Sequence, residues 1–398
     1  MSRKLSVVHI INSFQFGGAE RMLCNLLLNT DMDRFEPSVV SLIDDMTVAA
    51  PIIDAGIPIT VVGMRPGIPD PRGIARLARH LWRLKPAVIQ TWMDHSNLIG
   101  GIAARLVSRT PLVWGIHHSN HIPSLTKKST LATVWACKMF SRRVPTRIVC
   151  CSEHARGMYA QRGFADDKLM VIPNGFDVSA FRPDPAARAN LRRELDVHPQ
   201  TPLVGLIARY DPFKDHETFL RAAAKLKRIR PDVHYVLCGH NVDSNNSVLM
   251  AMIGSLGIGE QCHLIGARTD VPRVLAGLDL AAQSSVSEAF PLVLGEAMAC
   301  GVPCVATDVG DSRLIVGDTG KIVPARDPDA LAAGMGEMLA MRSSALQQLG
   351  ITARTRVREM FDLKSVTRRY ESLYTDLASA AGRAAPIEMQ SREIVATS

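Results

Sequence analysis

The sequence predicts an α/β protein built from two Rossmann-like, doubly wound parallel-sheet domains that face each other across a cleft. Three observations carry this. Short β-branched apolar runs alternate with helical patterns of about 10 to 15 residues, the signature of parallel sheets. The alternation restarts at Leu203-Val204-Gly205-Leu206-Ile207, which requires a second sheet. One device also occurs in both halves. A helix-like stretch ending Arg83-Leu84-Lys85 meets Pro86 and the strand Ala87-Val88-Ile89-Gln90, and another ending Arg228-Ile229-Arg230 meets Pro231 and the strand Val233 to Cys238.

Taken in order, Leu5 to Ile11 reads as a strand, Gly17-Gly18 as a turn, and Ala19 to Leu28, with apolar residues at helical spacing, as a helix. A chain of 398 residues with 47% hydrophobic content is too long for one ordinary core and fits two domains. The Pro- and Arg-rich stretch from Phe181 to Gln200 marks the boundary, giving an N-terminal domain over 1–185 and a C-terminal domain over 186–361. The apolar helix over 362–379 is expected to cross back to the N-terminal domain, and the Ala/Gly/Ser tail over 380–398 to be disordered.

Composition narrows the class. Twenty-eight glycines, twenty-three prolines and 21% charge describe a soluble globular enzyme. No segment reaches the roughly 18 uninterrupted apolar residues of a membrane span. Glu20, Arg21 and an early Gly-Gly occupy the first residues in place of a signal-peptide pattern, so the expected location is the cytosol. The eight cysteines form no C-x-x-C pair and read as buried thiols. His117, His118 and His121 lack carboxylate or cysteine support, so no metal is assigned.

The net charge of +8 is uneven: residues 1–180 hold 21 Lys/Arg against 13 Asp/Glu, and residues 181–398 hold 25 against 25. A basic half suits a phosphate-bearing substrate, a membrane face or nucleic acid, although a solvated surface without a partner gives the same count.

The richest chemistry lies in Ser287-Glu288-Ala289-Phe290-Pro291-Leu292-Val293-Leu294-Gly295-Glu296. Pro291 suits the first position of a helix and Gly301 the place just past its end, leaving Glu288 on the preceding loop and Glu296 inside the helix. The amides of Phe290, Leu292 and Val293 would then face a ligand, and a helix N-terminus is an anion site suited to the diphosphate of a nucleotide sugar. Glu288 can reach sugar hydroxyls and Glu296 ribose hydroxyls. A glycosidase pair needs its carboxylates about 5 to 10 Å apart, whereas eight helical residues rise about 12 Å. A solvated helix face is opposed by the apolar run Gly295-Glu296-Ala297-Met298-Ala299-Cys300. Arg209 and Lys214 follow the strand at Ile207, where a doubly wound sheet places its ligand, and could neutralise a leaving diphosphate.

These residues, with Phe16-Gly17-Gly18-Ala19-Glu20-Arg21-Met22, Thr91-Trp92-Met93-Asp94-His95, Val113-Trp114-Gly115-Ile116-His117-His118-Ser119 and Val171-Ile172-Pro173-Asn174-Gly175-Phe176-Asp177, resemble glycosyltransferase family 4 with its GT-B fold. More narrowly they resemble its WbnK-like branch of bacterial O-antigen and exopolysaccharide transferases. The resemblance runs from about residue 5 to residue 377. It implies an acceptor-binding N-terminal domain, a C-terminal domain for the nucleotide sugar, and retaining transfer without metal or cofactor. Gly17 and Gly18 would let the first loop approach donor and acceptor, through glycine's backbone freedom and missing side chain. His118 matches the histidine near the reacting sugar, His117 stands where the branch usually has Arg, and His95 matches a second branch histidine. The choice between His117 and His118 at the reacting centre stays open. Gly266-Ala267-Arg268 resembles the loop that holds the nucleobase. Asp308-Val309-Gly310-Asp311 is common in the branch and leaves the donor sugar unassigned.

Three other classes stand against this reading. A GT-B sugar-nucleotide epimerase shares the architecture and would form an epimer from donor alone. A nucleic-acid-binding protein would use the basic half, against which stand 5% aromatic content and the lack of any nucleic-acid motif. A nicotinamide dehydrogenase lacks its G-x-G-x-x-G after the first strand. Finally, Arg72, Arg76, Arg79 and Arg83 fall on one side of a helix whose other side carries Ile74, Leu77, Ala78, Leu81 and Leu84. If the acceptor is a lipid-linked glycan, that cationic stripe could hold the domain peripherally against anionic lipid on the inner face of the membrane.

Overall fold

The computed structural model describes residues 4–15, 17–65, 70–118 and 126–382. Phe16, Ser119, His121 and the tail from 383 onward, all singled out above, lie outside them. The first sheet has strands β1 (Leu5–Ile11), β2 (Phe35–Ser41), β3 (Ile59–Val61), β4 (Val88–Trp92), β5 (Leu112–Ile116), β6 (Arg147–Cys150) and β7 (Leu169–Val171). Its helices are α1 (Gly18–Asn29), α2 (Ala50–Asp54), α3 (Pro71–Leu84), α4 (Asp94–Val107), α5 (Lys128–Phe140) and α6 (Glu153–Gln161). The second unit holds β8 (Leu203–Ile207), β9 (His234–Cys238), β10 (Cys262–Leu264), β11 (Leu280–Gln283), β12 (Cys304–Thr307) and β13 (Gly320–Val323). Around them lie α7 (Pro185–Glu194), α8 (His216–Lys227), α9 (Ser247–Leu256), α10 (Val271–Ala276), α11 (Leu292–Ala299), α12 (Ser312–Val316), α13 (Pro328–Leu339), α14 (Ser343–Phe361) and α15 (Leu363–Ala380).

Both sheets are wholly parallel, in the orders β3-β2-β1-β4-β5-β6-β7 and β10-β9-β8-β11-β12-β13. Each order reverses beside its first strand, and in such sheets the crevice for a ligand opens at the C-terminal ends of the strands next to that reversal. The sequence sets the elements by ordinary means. Central strands such as β4 and β5 are buried at every residue, as a two-sided sheet requires. α3 starts at Pro71 behind Asp70, whose carboxylate accepts from the Gly73 N–H, and stops at Lys85 in the left-handed region. That stop leaves Leu84, read above as part of the apolar side, exposed beyond the last packed turn.

The chain crosses between the sheets twice, and the crossings are tied together. Phe176 donates its N–H to the Phe361 carbonyl (2.8 Å), and Leu363 donates to the Phe176 carbonyl (3.0 Å). α14 packs in the second core through Ala353, Val357 and Phe361, while α15 packs in the first through Leu363, Val366, Tyr370 and Tyr374. Phe176 stacks on Phe290 (5.7 Å) and lies over Gly295 in α11. A Cβ on Gly295 would sit 2.1 Å from the Phe176 ring. Gly295→Ala should therefore cost about 1–3 kcal/mol of stability, read as a lower urea midpoint, because neither ring nor helix can move without disturbing the crossing. A change within error would show that the crossing is loosely packed.

Candidate active site

The cleft between the two sheets encloses about 1050 Å³, room for a nucleotide sugar. Its C-terminal wall carries Arg209, Lys214, Gly239, Ala267, Arg268, Glu288, Phe290, Pro291, Leu292, Val293 and Glu296; its N-terminal wall carries Gly17, Gly18, Glu20, Arg21, His117 and His118. α11 begins at Leu292 with Pro291 as its N-cap, one residue outside the first helical position read from sequence. The N–H groups of Leu292 and Val293 fall in the first turn, beyond the reach of any intrahelical carbonyl, and carry the positive end of the helix dipole.

Across the cleft α1 presents a second N-terminus. A Cβ on Gly18 would lie 3.6 Å from Leu292 Cδ1, so the two helix starts abut without crowding. Gly17 is extended (φ −158°), a conformation open to any residue, so backbone freedom is not what requires glycine there. A Cβ there would meet only the Glu20 carboxylate (2.2 Å from Oε2), the free end of a side chain that can turn aside. Glu20 folds back over the start of its own helix. Burial raises its pKa, opposed by its own backbone N–H and by Arg209 across the cleft.

Several cations of the cleft are paired with carboxylates. Lys214 Nζ lies 2.5 Å from Glu288 Oε1, which also accepts from Ser285 Oγ (2.7 Å). Arg209 pairs with Asp211 (3.1 Å). Glu296, read above as a ribose acceptor, is buried and bonded by Arg21 of the opposite domain (2.8 Å). Burial raises its pKa and Arg21 offsets part of the rise. Asp311 makes a second bridge, accepting from the Glu153 and His154 N–H groups at the start of α6 (2.9 Å each). Gly310 (φ +56°) lets this loop press on the Glu288 carbonyl, where a Cβ would come within 2.5 Å, and so supports the loop that carries Glu288.

His117 stacks on Trp92 (4.8 Å, 20°), and both of its ring nitrogens are buried without a hydrogen-bond partner among the described residues. Burial lowers its pKa to about 3, with His118 adding to the effect, so the ring is neutral. His118 is exposed at the cleft.

Two families of sequence profile match the chain: "Glycosyltransferase Family 4" over residues 16–180 and "Glycosyl transferases group 1" over 187–356. Together they cover both domains. The chain belongs to the GT-B glycosyltransferases of family 4. It is 33% identical over 213 residues to a D-inositol 3-phosphate glycosyltransferase of Mycolicibacterium gilvum, a match covering 52% of this chain and 47% of that one. The chain thus spans about half the length of the inositol phosphate relatives it matches. An Escherichia coli UDP-Gal:alpha-D-GlcNAc-diphosphoundecaprenol alpha-1,3-galactosyltransferase is 22% identical over 78% of this chain and 80% of its own. Among solved structures, Anabaena HepE in complex with UDP superposes with a TM-score of 0.82 at 22% identity, covering 94% of this chain and all of HepE.

In this family 4 chain the fold gathers most of the residues singled out from sequence into one cleft, but not all. His95 does not line it: the ring sits between α4 and α5, with Nδ1 3.1 Å from Thr133 Oγ1. Gly266 lies behind the wall, holding the Gly239 N–H with its carbonyl (2.9 Å), while Ala267 and Arg268 line the cleft. Arg268 is held by Asp270 (2.7 Å) and Glu194. Among the cysteines, Cys262 is only partly buried, since β10 is an edge strand. Sequence reasoning missed the partnerships of Glu20, Arg21 and Asp311. Glu20 and Arg21 stood in the quoted glycine motif and Asp311 in the quoted aspartate motif, but pairing across domains has no local signal. No group of three or more His, Cys, Asp or Glu suited to a metal occurs among the described residues.

The neutral His117 yields a pH prediction. Its folded pKa lies below the unfolded value, so its contribution to stability is whole above about pH 6.5 and is lost as pH falls toward 3, at no more than about 1.4 kcal/mol per pH unit. His117→Phe keeps the stack on Trp92 and removes the titration. Urea unfolding should fall less steeply between pH 6.5 and 5 in the variant; identical slopes would mean that the folded protein accepts the proton.

Proposed function

We propose that the protein is a retaining glycosyltransferase that moves a sugar from a nucleotide-diphosphate donor to an acceptor hydroxyl, in the WbnK-like branch that builds O-antigen, capsule or exopolysaccharide. The acceptor is a lipid-linked glycan, met by the N-terminal domain at the membrane face. The observation that carries this is the convergence in one cleft of the α11 N-terminus, Arg209, Lys214 and Glu288 from one domain with His118 from the other. Two neighbours support it. HepE was solved with UDP and with UDP-glucose, and the E. coli relative, aligned over 80% of its length, acts on a diphosphoundecaprenol-linked sugar.

In this reading the donor diphosphate rests on the Leu292 and Val293 amides, and its charge is met by Arg209 and Lys214. Glu288, released from Lys214, accepts from sugar hydroxyls; Glu296, released from Arg21, accepts from the ribose. Ala267 and Arg268 flank the base. The bond from the anomeric carbon to the diphosphate breaks while the acceptor oxygen bonds the same face of that carbon. The departing diphosphate oxygen takes the acceptor proton. His118 lies on the acceptor side at the reacting sugar, and neutral His117, whose ring nitrogens have no partner among the described residues, offers one donor and one acceptor to hydroxyls beside it. No protein nucleophile and no metal enter these steps, since side-chain cations and helix amides hold the leaving group.

Two outcomes test this. A panel of nucleotide sugars with a lipid-linked acceptor should give a glycoside whose anomeric proton keeps the donor configuration, and EDTA should leave the rate unchanged. Inversion, an epimer formed from donor alone, or full loss with EDTA restored by Mg²⁺ or Mn²⁺ would overturn the reading. Charge on the leaving diphosphate grows only as its bond breaks, so Arg209→Ala with Lys214→Ala should lower kcat by about 10³-fold or more. Glu296→Ala removes a contact present in ground and transition states alike and should chiefly raise donor KM. Activity surviving the double change would refute the assignment of the two cations.

A further inference from the structure

An aspartate just before a helix ordinarily turns its carboxylate back onto the first turn of that helix. Asp311 stands in that position before α12, yet its side chain makes no bond to α12. Instead Oδ2 accepts from the Glu153 N–H and Oδ1 from the His154 N–H, 2.9 Å each, both in the other domain. These are the first two amides of α6. The third, of Ala155, is taken by Ser152 Oγ (2.9 Å). α6 thus carries a cap of its own, and its two outer amides, with the positive end of its dipole, go to Asp311.

On the donor side the same residue is tied through its backbone. Its N–H donates to the Ala289 carbonyl (3.1 Å), and its carbonyl accepts from the Ile315 N–H (2.8 Å) as α12 begins. Ala289 lies between Glu288 and the Pro291 cap of α11, so the connection that leads from the Glu288 carboxylate to the α11 amides is held by Asp311. α6 is fixed in turn to the acceptor wall. The Cys151 N–H, two residues before it, donates to the Ile116 carbonyl (3.0 Å), beside His117 and His118. One side chain therefore spans from the donor loop to the strand ends that carry both histidines.

Asp311 is 5% exposed. A carboxylate so buried is costly without donors, and hydrogen bonds of this length weaken steeply once the partners move apart, so the contact holds at one spacing of the domains. Neither Asp311 nor Glu153 nor His154 lines the cleft. A bound donor has nothing to displace there, in contrast to Arg21 on Glu296.

We propose that Asp311 is a positioning residue, which sets the donor loop and the acceptor wall at the spacing that sugar transfer requires. Transfer between two bound molecules depends on their placement to within about 1 Å. The groups that meet the donor diphosphate all sit on one domain. Asp311 accordingly governs the transfer step and leaves nucleotide affinity alone. The inference rests on the transfer reaction proposed above, but the link between the domains can be measured without it.

The experiment compares the full chain with Asp311→Ala, Asp311→Asn and Ser152→Ala. Three quantities are read: kcat with a donor and lipid-linked acceptor that the wild type turns over, calorimetric affinity for the tightest binder among UDP, GDP and ADP, and the radius of gyration from small-angle X-ray scattering. Asp311→Ala keeps the backbone N–H that holds Ala289, so diphosphate affinity should stay within about twofold while kcat falls about tenfold or more and the radius of gyration rises. Asp311→Asn keeps one accepting oxygen but sets an amide against the other N–H, and should fall between; should Asp311→Ala fail to fold, it carries the same comparison. Ser152→Ala removes the cap of α6 and spares the link, so it should lower the urea midpoint and leave kcat within about twofold. Unchanged kcat in Asp311→Ala, diphosphate affinity that falls as far as kcat, or an equal loss of kcat in Ser152→Ala would overturn the proposal. If the wild type transfers no sugar, the transfer reading fails by itself and scattering decides the link: a radius of gyration in Asp311→Ala equal to the wild type's overturns it.

Discussion

Charge inside a partly enclosed cleft has to be matched, and the arrangement of this active site follows from that constraint. Lys214 and Glu288, Arg209 and Asp211, and Arg21 and Glu296 stand paired, in each case a more buried carboxylate, whose isolated charge would be costly, held by a more exposed cation. Each pair joins a group suited to an anionic leaving group with a group suited to hydroxyls. A diphosphate sugar carries both chemistries at once, so it can take up both halves of each pair and leave neither charge unmatched. Glu296 shows the consequence most plainly: its partner, Arg21, comes from the other domain, so occupancy of this carboxylate and the relation between the domains are linked.

The fold delivers these groups through two parallel sheets whose C-terminal edges face each other, with the crossings at Phe176 and Leu363 hydrogen-bonded together. α1 and α11 then start toward the same space, with Gly18 facing Leu292. Asp311 binds the start of α6 from across the gap, and Gly310 beside it supports the Glu288 loop. One short segment thus connects domain contact with the position of a site carboxylate.

The sheets were legible from sequence because buried parallel strands are continuous apolar runs, as in Leu203 to Ile207, and because Pro86 and Pro231 punctuate the same passage in both halves. Glu288, Glu296, Arg209 and Lys214 were legible because helix starts and strand ends announce themselves locally. What was not legible depended on distance along the chain. Arg21 and Glu296 are 275 residues apart, and nothing local pairs them. His95 was read from a motif, yet its place on α4 turns it to Thr133 instead of the cleft. Gly17 was read for backbone freedom and a missing side chain; its extended backbone needs no such freedom, and a side chain there would meet only the movable Glu20 carboxylate. The basic run from Pro71 to Ser152, whose single carboxylate is Asp94, was present in the sequence, but only the packing of three helices side by side makes it one surface.

The central claim is that the α11 N-terminus with Arg209 and Lys214 holds the diphosphate of the donor. Calorimetric titration of the unmodified protein with a nucleoside diphosphate and with the matching monophosphate tests it most directly. The account predicts that the diphosphate binds at least about tenfold more tightly, because only its second phosphate reaches the helix amides and both cations. Equal affinity for the two nucleotides would contradict it.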